Sequence, residues 1–364
     1  MLRGERDPRR RRAAAAFLLF SALASPQAGC ASPARAPARP PSPPVVASPG
    51  GPKVSSEPSR RFLVSGDGEI SLVSGHGGGS LRVQYRRPDG SYDPAAIARI
   101  DDFFRSRGDS EKTRVSLRLV ETIDFLQDRH HPSRTLLMSG YRSGEYNAAI
   151  IARGGQAARS SMHTEGLASD LHFDGLDQRE LWLAIRELEC CGTGYYASSS
   201  FVHVDVGKPR FWEETTSRVK ENLSKGNARI FARTDFDRYD RLDGAILRLH
   251  AVTLRPIRIS RRAEFAPQAG AGATVVPLRL EPDAPAGAGD CMEFPDGDAA
   301  PIRFTLAEEP GAAPVAARGA PLRGRILLHA CEPRLEATPA VIESNPVEIR
   351  APVAPAPSGA SGRA

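Results

Sequence analysis

The sequence predicts a mixed helix-and-strand domain over residues 60–215, followed by an all-β, sandwich-like domain over 241–350. Two segments carry apolar residues at helical spacing: Ile97, Ile100 and Phe104, then Val115, Leu119, Ile123 and Leu126. Short β-prone runs lie around them, and Phe201–Val206 alternates strictly. Past residue 240 only short apolar runs recur, separated by Gly- and Pro-rich turns.

With 364 residues, 33 Gly, 31 Pro, 40% hydrophobic and 25% charged residues, the chain has room for about two domains. Its formal charge is +6, but residues 1–61 hold eleven Lys/Arg against Glu5, Asp7 and Glu57, which leaves −2 for the remainder. The folded part therefore has no basic excess to draw a phosphate backbone, and nucleic acid is excluded as a partner.

Arg9–Arg12 precede an apolar run, Ala13–Ala24, and small residues follow up to Cys30, which is the grammar of an export signal. The run would cover only ~18 Å as a helix, too short for a permanent span of the ~30 Å hydrocarbon core. Ala28-Gly29-Cys30 looks like the end of a bacterial lipoprotein signal, with Cys30 lipidated as a membrane anchor. Gln27 departs from the aliphatic residue preferred there, and a cleaved secretory signal is the alternative. Either signal (residues 1–30) places the mature chain in the cell envelope or periplasm. Residues 31–59 form a Pro/Ala-rich linker with almost no large apolar side chain, a tether that spans up to ~85 Å when extended.

From residue 60 the elements follow in order. Arg61–Val64 and Ser80–Tyr85 are β-prone runs with Gly-rich connections, and Pro88-Asp89-Gly90 is a turn. Asp93 and Pro94 open a helix as N-cap and first residue. A second helix is predicted over 113–129, a buried strand over Thr135–Met138, a loop at Ser139–Ser143 and a helix over 144–153. Asp177-Gln-Arg-Glu180 begins a further helix like a capping box, with Leu181, Ile185 and Leu188 inward. Cys190 and Cys191 end it; as neighbours they are expected to remain unbonded, small buried side chains rather than thiolate ligands.

The chemistry begins at Ser161-Met-His163-Thr-Glu-Gly166-Leu-Ala-Ser-Asp170, which leads into a strand predicted over Leu167–Phe173. Gly166 permits a sharp turn that swings His163 back over this strand, whose inward positions include Asp170 and His172. In Phe201–Val206, His203 and Asp205 share one face while Val202, Val204 and Val206 share the other. Where such faces meet, neutral imidazoles and a carboxylate form a donor set for divalent zinc, with a position open for water. The same residues also suit ordinary hydrogen-bonded Asp–His pairs, and spacing alone does not choose.

Ser-Gly-Tyr-Arg-Ser at 139–143, Ser-x-His-x-x-Gly-x-Ala-x-Asp at 161–170, Gly-x-Gly-Tyr-Tyr at 192–196, Phe-Val-His-x-Asp-x-Gly at 201–207 and Arg210-x-Trp212 stand in order. This set resembles the zinc peptidases of the hedgehog/D-alanyl-D-alanine peptidase superfamily, and within it the MepK-type murein endopeptidase branch. The resemblance covers roughly residues 60–212. It implies an α+β fold with an antiparallel sheet carrying the metal, Zn2+ as cofactor and peptidoglycan stem peptides as substrate. It implies His163, Asp170 and His203 as zinc ligands, Arg142 as the arginine facing a substrate carboxylate or developing oxyanion, and Ser161 as a substrate contact. Many superfamily members place an acid three residues before the last histidine ligand, where this chain has Ser200. Strand geometry offers Asp205 as base or as orienter of a ligand histidine, and His172 for the same roles. Tyr195 and Tyr196 are candidates to line the cleft, or ordinary core or rim aromatics.

Residues 216–240 read as a charged linker or helix. Beyond them the runs 245–249, 273–276, 302–306, 324–328 and 346–349 make the sandwich-like domain, without a catalytic constellation. Cys291 and Cys331 are its expected disulfide, closing a loop that contributes ~3–4 kcal/mol in the chain-entropy model. Residues 351–364 are expected to be a disordered tail. Two functions follow: an exported zinc peptidase cutting peptidoglycan cross-links or stem peptides, as endopeptidase or carboxypeptidase, or a non-catalytic wall-binding protein that keeps the fold. The intact ligand set favours the first, and Ser200 with the unassigned β domain favours the second.

Overall fold

Helices and strands intersperse up to residue 213, and among the described residues a single helical turn, Glu214–Thr216, and then strands follow, so a mixed α+β part precedes an all-β part in the computed structural model. The structure describes residues 61–350 except 107–113, 156, 158–160, 218–229, 251–255, 269–274, 284–285, 288, 295–300, 311–320 and 335–337. The expected signal with Cys30, the 31–59 linker and the 351–364 tail lie outside these residues. No helix among the described residues is long and apolar enough to cross a membrane.

The first part contains β1 (Glu69–Ser74), β2 (Ser80–Gln84), α1 (Pro94–Phe104), α2 (Leu117–His130), β3 (Arg134–Ser139), α3 (Gly144–Ala152), β4 (Ala168–Asp174), α4 (Gln178–Glu187), β5 (Gly192–Tyr196), β6 (Phe201–Asp205) and β7 (Arg210–Glu213). The helix caps match the sequence chemistry. Asp93 accepts from the amides of Ala95 and Ala96, with Pro94 behind it, and Asp177 caps α4 through Arg179 and Glu180. Arg61–Val64 is not a strand. The first strand is Glu69–Ser74, in the stretch read as a Gly-rich connection, and it buries Ile70 and Leu72 while pairing β2.

The seven strands run β2-β1-β3-β4-β6-β5-β7, with parallel pairs at β1/β3 and β5/β7 and antiparallel pairs elsewhere. Alternation divides the central strands. Leu171, Phe173, Val202 and Val204 are fully buried in a core shared with Leu119, Ile123 and Leu126 of α2 and Leu181 and Ile185 of α4. The other face carries the polar residues of the candidate site. Cys190 and Cys191 correct the expectation drawn from them. They are bonded to each other in the turn from α4 to β5, where Glu189 takes a φ of 50° and the chain doubles back tightly enough to bring the neighbouring sulfurs together.

The second part contains β8 (Phe231–Thr234), β9 (Arg238–Tyr239), β10 (Ile246–His250), β11 (Ile257–Pro267), β12 (Val276–Pro282), β13 (Cys291–Phe294), β14 (Ile302–Glu308), β15 (Leu322–Ala330), β16 (Val341–Glu343) and β17 (Val347–Ile349). These join into one hydrogen-bonded sheet around a single apolar core, rather than the two separate sheets of a sandwich. β8 and β9 fall in the stretch read as linker. The central strand β11 was not anticipated, because four arginine and glutamate side chains interrupt its apolar alternation. Cys291 and Cys331 are bonded as expected.

The first core also buries acids. Glu121 of α2 accepts from Arg86 Nε at 2.8 Å, Tyr92 Oη at 2.9 Å and the Ser65 hydroxyl. Asp124, one turn on, accepts through Oδ2 from Tyr85 Oη at 2.6 Å and the Gly68 amide at 2.8 Å, while its Oδ1 has no partner. Burial pushes the Asp124 carboxyl up to about 7, against these two hydrogen bonds and with help from Asp128 and Asp67. A raised carboxyl stabilises the fold while protonated, so its contribution is present at acid pH and is lost as pH rises through about 7. Denaturant midpoints at pH 5 and pH 8 are therefore expected to show the wild type losing about 2–3 kcal/mol over that interval, at ~1.4 kcal/mol per pKa unit, with most of the slope absent from Asp124→Asn.

Candidate active site

The site is built on the pairing of β4 with β6, which sets Asp170 directly opposite His203. Antiparallel neighbours in this relation hold their side chains about 5 Å apart on one face, so carboxylate and imidazole meet without a loop to position them. His163 arrives from the preceding single turn, Met162–Glu165, which Ser161 caps by accepting from the His163 amide. Gly166 ends that turn at φ 68°, packed so closely on the Arg114 carbonyl that a Cβ would lie 2.3 Å from it. Glycine is required there on both counts, and the turn folds His163 back over β4 as its spacing implied.

Each ring is oriented by a second partner. His163 Nδ1 donates to the Gly140 carbonyl at 2.7 Å, which leaves Nε2 with a free lone pair. His203 Nε2 donates to Asp205 Oδ2 at 2.9 Å, which leaves Nδ1 free. The free nitrogens face each other at 3.3 Å, and Asp170 Oδ1 lies 2.9 Å from His203 Nδ1 and 3.4 Å from His163 Nε2. All three residues are buried.

This triangle fits a small divalent cation. Two imidazole lone pairs and a carboxylate oxygen converging in a buried place need positive charge between them. Their separations match the ligand–ligand edges, about 3.3 Å, of a tetrahedral ion with bonds of ~2.0–2.1 Å. Nitrogen and carboxylate donors in a set of three are those of zinc sites that leave a position open. The described residues that could hold a metal here are His163, Asp170 and His203.

Burial would raise the Asp170 carboxyl, yet when His163 and His203 carry a proton on the nitrogens facing it, their charges and hydrogen bonds hold it well below the usual range. Burial lowers His163. It opposes charge on His203 too, but hydrogen bonds and charges from Asp170 and Asp205 outweigh it and raise that ring. Asp205 is likewise held low, because Arg210 and His203 outweigh its desolvation.

The other expected site residues divide. Arg142 lies beside the triangle, with Nη2 donating to Asp170 Oδ2 at 2.7 Å and Nε to Ser139 Oγ at 2.9 Å. Asp205 is fully buried and its carboxylate is engaged by His203, the Gly207 amide and both terminal nitrogens of Arg210. That arrangement orients His203 and leaves no oxygen free to take a proton from solvent. His172 points along the same face but away from the triangle, its Nδ1 donating to the Ser200 carbonyl and its Nε2 lying 3.2 Å from Asp174. Ser200 itself sits in a tight turn at φ 51°. Tyr196 stacks on Phe201, accepts from Trp212 Nε1 at 3.2 Å and feels the charges of Asp170 and Arg142, so it borders the site. Tyr195 does not. Opposite Val202 on the helix-covered face, it stacks on Trp182 of α4, since adjacent residues of a strand point to opposite faces.

Some contributors carried no assigned role in the sequence. Arg210 clamps Asp205 and stacks on Trp212, whose ring lies 5.2 Å from that of His203. Gly192 and Gly194 leave the space that Asp205 and Trp212 occupy, for a Cβ at either would fall within 2.5 Å of those side chains. Gly140 is equally confined, since a Cβ there would lie 2.4 Å from the Phe104 carbonyl oxygen. The Gly-x-Gly and Arg-x-Trp motifs were visible, but only strand pairing shows that they serve the same ring.

Comparison with known proteins bears on this arrangement. The family model described as peptidoglycan L,D-endopeptidase MepK matches residues 65–212. The peptidoglycan L,D-endopeptidase MepK of Escherichia coli (strain K12) is 31% identical over 144 residues, covering 39% of this chain and 79% of that protein. The chain belongs to the MepK family. A probable peptidoglycan L,D-endopeptidase MepK of Haemophilus influenzae is 26% identical over 124 residues, 34% of this chain and 67% of that protein. No solved structure matches. The family match contains every residue of the triangle and its orienting partners and ends at residue 212, before the second sheet begins.

Because Gly194 makes room for Trp212 over His203, Gly194→Ala is expected to push the indole aside and to destabilise the fold by about 1–3 kcal/mol, the range for overpacking. Thermal or denaturant unfolding of the variant checks this.

Proposed function

We propose that this chain is an exported, zinc-dependent peptidoglycan peptidase, and within that class an endopeptidase that hydrolyses stem-peptide cross-links. The observation that carries the reading is the convergence of His163 Nε2, His203 Nδ1 and Asp170 Oδ1, each ring turned by its own partner so that its lone pair faces the same point. Membership of the MepK family supports peptidoglycan as the substrate, since its relatives are named as peptidoglycan L,D-endopeptidases. Export rests on the Arg9–Arg12 and Ala13–Ala24 pattern, and attachment to a membrane on Cys30.

When bound, zinc would lower the pKa of a coordinated water towards ~7 and polarise the scissile carbonyl. His163, Asp170 and His203 would hold it. Gly140 and Asp205 keep the two rings from rotating, and Arg210 keeps Asp205 ionised and in place. Asp205 therefore acts as an orienter of His203 rather than as a base. Arg142 brings a permanently charged planar group to the edge of the site, suited to a substrate carboxylate or a developing oxyanion. Tyr196 borders the same opening, and Ser161 caps the turn that carries His163. The Ser200 position, which holds an acid in many superfamily members, is the observation that favours a binding protein without turnover.

Elemental analysis of the purified chain is expected to give one zinc per molecule, lost in His163→Ala and in His203→Ala together with cleavage of cross-linked muropeptides. Zinc without cleavage would move the assignment to the binding protein, and no zinc after metal-replete purification would return the histidines to a structural role. Asp205→Asn is expected to retain the fold and to weaken zinc about 10–100-fold, read by competition with a chelator.

A further inference from the structure

The second sheet reaches the candidate site at two places, and both contacts come from one strand pair, β8 with β10. His250 at the end of β10 lies opposite Phe231 at the start of β8, and their rings stack at 5.1 Å. Phe231 belongs to the apolar core of the first part rather than of its own sheet. His250 is buried, and its Nδ1 lies 2.7 Å from Oε2 of Glu165, also largely buried. Glu165 ends the single turn that carries His163, two residues away. Two residues after Phe231 on β8, Arg233 donates through Nη2 to the carbonyl of Gly207. The amide of Gly207 donates in turn to Asp205 Oδ1, whose other oxygen orients His203. One edge of the β domain thus touches both chain segments that deliver imidazoles to the triangle.

The contact is anchored around these two points. Arg118 of α2 pairs with Asp237 and donates to the Thr234 carbonyl at 3.0 Å, Asp237 takes the Leu63 amide, and Phe62 packs on Phe236. Buried charged pairs and packed rings between the two parts of the chain hold them in one relation, because separating them would strand groups without partners.

We propose that β8 and β10 are part of the metal-site apparatus: His250, through Glu165, and Arg233, through Gly207 and Asp205, are positioning residues for His163 and His203. The inference deepens the zinc reading and rests on it. It gives the β domain a task in a chain whose family match stops at residue 212. Orienting partners of metal ligands set affinity by preventing the ligand from rotating away, and their loss weakens binding without removing a donor.

The test uses the full-length chain and two readouts: zinc affinity by chelator competition, and backbone amide exchange of residues 162–166 and 205–207 in metal-free protein. His250→Ala is expected to bind zinc about tenfold more weakly and to exchange faster at 162–166. His250→Asn, which can keep a donor near the Nδ1 position, is expected to restore most of both. Glu165→Ala should match His250→Ala, and the double variant should lose no more than either alone. Arg233→Ala should act at 205–207 instead. Ile326→Val, a core substitution within the β domain, controls for lost stability and should change neither readout. Wild-type affinity and exchange in both His250→Ala and Glu165→Ala would overturn the proposal, and should His250→Ala not fold, Glu165→Ala decides alone. If the wild type binds no zinc the metal reading fails, while exchange in the metal-free chain still decides whether the β domain holds the two segments.

Discussion

The register of β4 against β6 is the constraint on which the rest of the site depends. It sets Asp170 across from His203, Ala168 across from Asp205, and Leu171 across from Val202 on the opposite face. A slip of one residue would turn the carboxylate and imidazole into the apolar core and bring valines and leucine to the surface. The core and the site therefore specify the same pairing, and burial of Leu171, Phe173, Val202 and Val204 maintains the geometry of the polar face.

Around that pairing, absent side chains matter as much as present ones. Gly192 and Gly194 of β5 lie opposite Asp205 and His203, and the space they leave is filled by the Asp205 carboxylate and the Trp212 ring. Gly140 brings its carbonyl to His163 because the chain passes against Phe104 with no room for a Cβ. These glycines let backbone and ring approach closely enough to lock both tautomers. Arg210 completes the polar layer, pairing with Asp205 while lying over Trp212.

The two sheets share more than a linker. Phe231 is a residue of the second sheet buried in the first core, and Asp237 gathers Arg118, Leu63 and Asn345 from different parts of the chain. Ion pairs at such a surface contribute because they are sheltered, whereas exposed pairs such as Arg82 with Glu69 contribute little. The shelter comes from aromatic packing, Phe62 on Phe236 and Phe231 on His250.

Much of this was legible from local chemistry. Asp93-Pro94 and Asp177 cap helices wherever they occur, apolar periodicity marks a buried helix face, and strict alternation in Phe201–Val206 separates His203 and Asp205 from the valines. The motifs with their resemblance named His163, Asp170 and His203, which the fold brings together. The rest depended on groups distant in the chain. The sequence offered Tyr195 and Tyr196 alike as cleft or core aromatics, and strand parity sends Tyr195 to the helix side; it offered Asp205 as base or as orienter, and Arg210 and Gly207 engage its oxygens. The adjacent Cys190 and Cys191 bond because a turn closes on them, and β11 hides its buried face among arginines. The sequence by itself determined where helices begin, which strands carry donors and which residue types could hold a cation, since these follow from neighbours a few positions apart. Only the tertiary structure decided which lone pairs face one another, which carboxylate lies between the two rings and which is clamped by Arg210, and that a second sheet meets the segments carrying His163 and His203, because those depend on strand register and on packing between residues distant in the chain.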